Sequence, residues 1–487
     1  MPSTPPSDTS TRPEAADSDL QRKDPYLPDA DPDAAARSVA EARPAKPSPD
    51  SAATKPREAA NGPAPGAGQA APAGSQPPDN AAEPPARSIP APAAKSESEP
   101  SQALKPAARA EAPAPAGPDP TPLAERNARP NGFEHGQPQR TAVLLTNLGT
   151  PDEPSKAAVR RYLAEFLNDR RVVEIARIAW LPVLHGVVLR TRPAVSAEKY
   201  KSIWTDAGSP LKVWTEKQAA GLEAALKQRD HHVTVASAMR YGNPSIGSVL
   251  DRLMAEGATR VLVLPAYPQY SAATIASTFD AVSAWSGQQR RLPEFRFVNG
   301  YSDDPGYIGA LVETIRRHWS AHGQPQRLLM SFHGMPERTL HLGDPYHCEC
   351  RKTARLVAEA LGLSDAQYQV TFQSRFGKAK WLEPATEPTL IALAQAGVER
   401  VDVICPGFAS DCLETLEEIA IEGRKAFTGA GGKKFHYIQC LNDDADWIAA
   451  LGYLAERHLA GWPTLEPVDV EALAASRQRA MAAGATR

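Results

Sequence analysis

Between about residues 140 and 462 the chain alternates short apolar runs with longer amphipathic stretches. Apolar runs of four to eight residues, closed by Gly, Pro or Asn, predict buried strands. They fall at Leu144–Thr150, His232–Met239, Arg260–Tyr267, Glu294–Asn299, Arg327–His333, Tyr368–Ser374, Arg400–Pro406 and Phe435–Leu441. Helical periodicity fills the spaces between them, at Ser155–Asn168, Glu216–Gln228, Ser245–Glu256, Tyr307–His318, Thr353–Leu361, Glu387–Ala396, from about Leu413 onward, and at Ala445–Leu459. Strands that alternate with helices predict an α/β fold with parallel sheets.

One strand organises the rest. Leu328-Leu329-Met330-Ser331-Phe332-His333 is apolar up to a histidine, and Gly334 and Pro336 stop it. In open α/β sheets ligands bind beyond the carboxyl ends of strands, so His333 would stand at the rim of a crevice. Leu144-Leu145-Thr146-Asn147-Leu148-Gly149-Thr150-Pro151 has the same shape, with Leu148 where the later stretch has His333. Two further pairs follow in order: Met239-Arg240-Tyr241-Gly242 with Ser374-Arg375-Phe376-Gly377, and Arg260–Leu264 with Arg400–Ile404. Three ordered matches predict two halves of similar fold.

Val172–Leu189 breaks the rhythm. It is strongly apolar, interrupted by Glu174, Arg177 and His185, with Pro182 expected to break any helix there. It is too short and too charged for a membrane span. A core helix pair is the ordinary reading, favoured by the residues alone; an exposed apolar lip for a greasy ligand or a membrane surface is the sharper one.

Composition moves the start of the folded part. Residues 1–150 carry 29 of the 47 prolines. Up to about residue 138 the chain is Ala, Pro, Ser, Asp and Glu, a composition that buries too little apolar surface to offset chain entropy and predicts disorder. No apolar core follows the first Met, so a secretory signal is not expected. The predicted organisation is a tail over 1–138, a first half over 139–304, a second half over 305–463 and a C-terminal tail over 464–487. Net charge is −3, which gives no electrostatic footprint for nucleic acid. Five cysteines, Cys348, Cys350, Cys405, Cys412 and Cys440, predict free thiols and a reducing compartment.

Two clusters could carry chemistry. A lone His at a strand end is more often structural than catalytic. Its pKa near 6.5 when unperturbed nevertheless suits proton transfer or metal ligation. The second cluster runs from Gly407 to Glu418. Asp411 could cap a helix with Glu414 as its capping-box partner. The same spacing would also put Asp411, Glu414, Glu418 and Glu422 on one α-helical face, a stripe of acids able to pass a divalent cation or protons.

Several motifs together resemble ferrochelatases. They are Ser331-Phe332-His333-Gly334-Met335-Pro336, Tyr267-Pro268-Gln269-Tyr270-Ser271, Gly343-Asp344-Pro345-Tyr346, and Cys405-Pro406-Gly407-Phe408 leading into Ser410-Asp411-Cys412-Leu413-Glu414-Thr415-Leu416. The resemblance runs from about Thr141 to Leu459. It implies two similar Rossmann-like domains, each with a four-stranded parallel sheet, and a porphyrin in the cleft between them. It implies insertion of Fe²⁺ into protoporphyrin IX with release of two protons, the last step of haem synthesis. His333 and Glu414 would be the catalytic and metal-binding pair, with Glu418 and Asp411 on a proton or metal path. Leu148, Arg240, Tyr270 and Trp381 would line the porphyrin pocket. Val172–Leu189 falls in the family's lip region, which favours the exposed reading there.

The resemblance also carries departures. Cys412 stands where many members have a second His. Some members hold a [2Fe–2S] cluster on four cysteines; here only Cys348 and Cys350 are close, so no cluster and no resident cofactor are expected. The expected partners are a porphyrin and ferrous iron, with a peripheral contact at the inner membrane from the cytoplasm. Two rivals stay open: a coproporphyrin or cobalt chelatase of similar fold, and a porphyrin carrier that needs neither His333 nor Glu414.

Overall fold

The computed structural model describes residues 134–377 and 379–486. The tail expected over 1–138 therefore lies almost wholly outside the described residues. The first strand is β1 (Arg140–Thr150).

Eight strands form two sheets of four. β1 is followed by β2 (Val233–Gly242), β3 (Ala258–Pro265) and β4 (Glu294–Phe297), in the order β2-β1-β3-β4. β5 (Arg327–His333), β6 (Tyr368–Gln373), β7 (Arg400–Ile404) and β8 (Lys434–Ile438) form the second, in the order β6-β5-β7-β8. Every pairing is parallel. The two orders are the same, shifted by one set of strands, and the three sequence pairs fall on β1/β5, on the end of β2 and the residues just after β6, and on β3/β7. The duplication is therefore topological. Strands buried on both faces explain the near-continuous apolar runs: Val143 and Leu145 enter one core, Ala142 and Leu144 the other.

The helices of the first half are α1 (Lys156–Phe166), α2 (Arg177–Val183), α3 (Leu189–Ile203), α4 (Pro210–Lys227), α5 (Ile246–Ala255) and α6 (Ser277–Ser286). Those of the second half are α7 (Pro305–His322), α8 (Glu337–His341), α9 (Tyr346–Leu361), α10 (Thr386–Gln395), α11 (Arg424–Gly429) and α12 (Ala445–Leu459). An exposed α13 (Val470–Ala482) follows, its first turn capped by Asp469. α6 escapes the sequence pattern because Ala, Ser and Thr dominate residues 271–286 and leave little apolar periodicity.

Three differences from expectation matter for the site. Pro182 does not break the helix. α2 runs through it into a π-turn at Leu184–Val188 and on into α3. Proline removes one N–H, and the widened turn just after it takes up the mismatch. The ordinary core reading of Val172–Leu189 also fails. Leu184 and Leu189 are buried, but Ile175, Ile178, Val183 and Val187 are exposed, Ile178 by 88%. Finally, α12 crosses back to the first half. Arg296 of β4 donates to the carbonyls of His458 and Ala460, His231 meets Glu456 at 3.4 Å, and Trp462 donates to Glu294. One core cluster runs from Val143 through Ile404 to Trp462, so the halves share their interior.

Candidate functional site

β1 and β5 are inner strands, and each has a glycine at its carboxyl end, Gly149 within β1 and Gly334 just after β5, for the same reason. The backbone of the neighbouring strand comes too close for a side chain. A Cβ on Gly149 would lie 1.7 Å from the carbonyl oxygen of Tyr241 on β2; on Gly334 it would lie 2.4 Å from that of Gln373 on β6. The Gly334 N–H donates to that Gln373 oxygen at 2.7 Å. His333, half-buried, is thus held on a turn with little freedom. Its Nδ1 lies 2.6 Å from the Gly334 carbonyl. A carbonyl only accepts, so Nδ1 carries the proton, and the neutral ring keeps its lone pair on Nε2. Trp381 packs on this turn. It is 7% exposed, donates to the Phe376 carbonyl at 3.0 Å, and would touch a Cβ on Gly334 at 3.3 Å.

The acidic segment does not form the α-helical stripe. Glu414–Gly423 is a π-helix, and Asp411 lies in the loop before it. Asp411 is buried and accepts hydrogen bonds from Thr415, Tyr437 and Asn442, so its carboxylate is spent inside the second half. It makes no capping box with Glu414. Glu422 is at the far end, exposed and paired with Lys425. Between them, Glu417 is buried against Lys199 of α3 at 2.7 Å. Two acids remain, Glu414 and Glu418, both half-buried.

Glu418 accepts from the Ser374 N–H at 2.6 Å and from the Ser374 hydroxyl. Burial raises its carboxyl above the ordinary range; the Ser374 hydrogen bonds and the nearby His333 oppose the shift, and the Glu414 charge adds to it. The Glu418 carboxyl thus feels the charges of both His333 and Glu414. Gln373, at the end of β6, donates to the Glu414 carbonyl at 2.7 Å and accepts from Ser331 of β5 at 2.7 Å. A cavity of about 470 Å³ opens beside Glu418, between Gln373, Ser374, Phe376 and Trp381. A groove of about 540 Å³ elsewhere, between Glu216, Glu223 and Arg252, meets none of these residues and has no clustered chemistry.

The first half supplies the facing wall. The Tyr162 and Tyr200 hydroxyls, on α1 and α3, are pushed far up by burial, and the Glu414 charge adds to both shifts. Arg240 is not free to roam: it pairs with Asp169 at 2.6 Å, donates to Ser277, and stacks over Tyr241. Asp169 is lowered overall. Burial raises it, but hydrogen bonds from Ser277, Arg171 and Tyr241 and the Arg240 charge outweigh that. Leu148 is half-buried at the end of β1, as His333 is at the end of β5. Tyr270 is half-buried on a loop held by the second half: Glu349 accepts from its N–H at 2.7 Å, and Asp344 accepts from the next N–H but one, that of Ala272, at 2.8 Å. The apolar lip reaches across: Glu174 pairs with Arg338 of α8, and Arg192 lies 5.6 Å over the Phe376 ring.

The sequence pointed to His333, Glu414 and Glu418, and the charges of the first two both act on the third. It missed Gln373, Ser374, Asp169, Tyr162 and Tyr200. Ser374 was visible as the partner of Met239 in the repeat; no pattern singles out the others. The five cysteines are unpaired. Burial pushes the thiols of Cys350, Cys405, Cys412 and Cys440 well up, so they stay protonated.

Comparison with known proteins bears on this geometry. The family model described as Ferrochelatase matches residues 140–459. A ferrochelatase of Polaromonas sp. is 66% identical over 359 residues, 73% of this chain and 98% of the relative. One of Methylibium petroleiphilum is 65% identical over 360 residues, 74% of this chain and 99% of the relative. The solved structure of SirB from Bacillus subtilis with Fe³⁺ superposes with a TM-score of 0.41 at 13% identity, covering 67% of this chain and 100% of that one.

Proposed function

The chain belongs to the ferrochelatase family, lyases that insert a metal into a porphyrin, and from that premise we propose that it places Fe²⁺ into protoporphyrin IX with His333 and Glu414 as the working pair. The observation that carries the assignment is Glu418, a half-buried acid with raised proton affinity that feels the charges of both His333, whose Nε2 keeps a lone pair, and Glu414.

A free porphyrin carries two pyrrole protons, and both must leave as the metal enters. His333 accepts them one at a time through Nε2, passing the first on before it takes the second, since Nδ1 is already committed to the Gly334 carbonyl. Charge builds on the imidazole as it does so, and Glu414 and Glu418 stabilise it. Glu418, tuned upward, is suited to take the proton on and release it through the cavity next to it. Glu414 meets the metal. Asp411 is left out of this path, because its oxygens are already taken. The macrocycle lies against Leu148, Tyr270 and the Tyr162–Tyr200 wall. Arg240 acts by holding Asp169, Ser277 and Tyr241 in place, and Trp381 by supporting the His333 turn. No resident cofactor enters this reading; iron is the substrate.

Among the described residues no helix is long and apolar enough to cross a membrane. The exposed Ile175, Ile178, Val183 and Val187 instead suit a peripheral contact of the lip with lipid, from the cytoplasmic side, through which a greasy porphyrin would arrive. Protoporphyrin is preferred over a coproporphyrin on the same ground.

The test is anaerobic mixing of the full chain with protoporphyrin and Fe²⁺ or Zn²⁺, following the porphyrin absorption bands. His333→Ala and Glu414→Ala should each bind porphyrin and lose metallation. Faster turnover with coproporphyrin would move the substrate. Full turnover in His333→Ala would remove the base.

A further inference from the structure

A second group of metal-ligating side chains lies far from the cleft. His318 of α7, Asp402 of β7 and His436 of β8 bring one ligand atom each to within 4.8 Å of one another. His318 Nε2 is 3.2 Å from His436 Nδ1, 3.5 Å from Asp402 Oδ2, and Asp402 Oδ1 is 3.9 Å from His436 Nδ1. Two imidazole nitrogens on one tetrahedral ion, each at about 2.0–2.1 Å from it, stand roughly 3.3 Å apart. The spacing present already fits that edge. The His322 ring closes another side, with its centroid 4.5 Å from that of His318 and 4.9 Å from that of His436.

The placement follows from topology. Asp402 pairs with His436 across β7 and β8, and with Leu328 on β5. Side chains alternate along a strand, so Asp402 faces α7 while Val401 and Val403 enter the opposite core. His333 lies five residues beyond Leu328, which puts the cluster about 17 Å away along the sheet at ~3.3 Å per residue.

We propose that His318, His436 and Asp402 form a second divalent-metal site, which takes an ion of the Zn²⁺ or Co²⁺ kind and ties α7 to β7 and β8. The carboxylate has room for it. Arg400 and Trp319 both donate to Oδ2, at 3.0 and 3.1 Å, whereas Oδ1 receives only the Arg400 Nε at 3.0 Å. One lone pair on Oδ1 therefore stays open. Arg400 offsets the charge of Asp402, and both Arg400 and Arg424 act on His436, so affinity is lower than for an isolated carboxylate. Burial lowers His318 to about 4 and lowers His436 also, which keeps both rings neutral and able to ligate at neutral pH.

The experiment is equilibrium dialysis of the full chain against Co²⁺ without porphyrin, with visible spectra and ¹H–¹⁵N spectra of the histidine rings. His318→Gln/His436→Gln should lose one bound equivalent and keep the parent rate of zinc-porphyrin formation. His333→Ala should keep that equivalent. In the parent, Co²⁺ should broaden the ring signals of His318, His322 and His436. That measurement needs no variant, so a misfolded double variant does not shield the idea. An unchanged stoichiometry in a folded double variant, or sharp His318 and His436 signals at saturating Co²⁺, overturns it.

Discussion

Replacing Gly334 by Ala tests whether the His333 turn is set by the approach of two backbones. The added Cβ would lie 2.4 Å from the Gln373 carbonyl oxygen and 3.3 Å from Trp381 Cε3. The first contact is with backbone and cannot be relieved by a rotamer change. To reach ordinary contact, β5 and β6 must part by about 1 Å at their ends, a shift of the size that overpacking forces on a filled site. That stretches the Gly334 N–H bond to Gln373, now 2.7 Å. Overpacking costs about 1–3 kcal/mol, and a lost backbone hydrogen bond adds roughly 1 kcal/mol. His333 moves with the turn, because its Nδ1 is bonded to the Gly334 carbonyl. A displacement of about 1 Å at a reacting group can cost ~10²-fold in rate. Urea unfolding should therefore show a loss of about 2–4 kcal/mol, and zinc-porphyrin formation should fall by about two orders of magnitude. Gly149→Ala is the control in the other half. Its Cβ would lie 1.7 Å from Tyr241 O at a φ of +108°, so it should destabilise more. A Gly334→Ala variant with parental stability and parental rate would refute the argument.

Other expectations follow from single contacts. Glu418→Gln keeps acceptors and donors for Ser374 but cannot carry a proton. Since Glu418 is raised in the folded chain, the folded state holds its proton longer, and stability falls as pH rises from the ordinary glutamate value towards the raised one. Urea titrations across that window should lose this slope in the variant, and metallation should slow; an unchanged slope would argue against the shift. Asp169 is lowered, so its contribution is present above the ordinary aspartate value and fades as pH falls through the folded one. Asp169→Asn should flatten that acid limb, read by unfolding at stepped pH. Arg240→Ala removes the charge partner of the half-buried Asp169, which keeps its hydrogen bonds from Ser277, Tyr241 and Arg171, and should cost about 1.5–3 kcal/mol in unfolding free energy. Ile178→Asp, at a position 88% exposed, should change stability by less than about 0.5 kcal/mol yet weaken flotation with lipid vesicles; undiminished flotation would count against the lip.

Strands were readable because burial on both faces leaves near-continuous apolar runs, and Arg327–His333 coincides with β5 residue for residue. The repeat was readable because each half needs a glycine at the same close approach, Gly149 and Gly334. The acidic helix was misread because an α period was imposed on a segment that closes in π form, and because Asp411 precedes it. Periodicity measures local spacing; the choice between α and π turns here accompanies contacts from elsewhere, including Lys199 on Glu417 and Gln373 on the Glu414 carbonyl. The lip was ambiguous for a related reason. Apolar content says that surface wants cover, not what covers it. Gln373 was hidden, and the repeat marked Ser374 without its role, because both act through long-range hydrogen bonds, which a linear pattern does not carry.

The duplicated frame explains how the site can be asymmetric at small cost. Both inner strands end in the same turn, so a side chain at either end points to the same kind of crevice. At the end of β1 the position is filled by Leu148, and the adjoining Arg240 and Tyr241 are engaged with Asp169 and Ser277. That half offers a firm, mostly neutral wall. At the end of β5 it is filled by His333, and the adjoining Gln373 and Ser374 position Glu414 and Glu418. The proposed metallation uses this division, with a flat apolar ring held on one side while protons and a cation are handled on the other. The family motifs that seemed chemical in the sequence partly serve it. Asp344 and Glu349 of the second half grip the Tyr270–Ala272 backbone of the first. They tie the loop after β3 to the second half, and under the proposed mechanism that tie sets how the imidazole and the two carboxylates meet the ring.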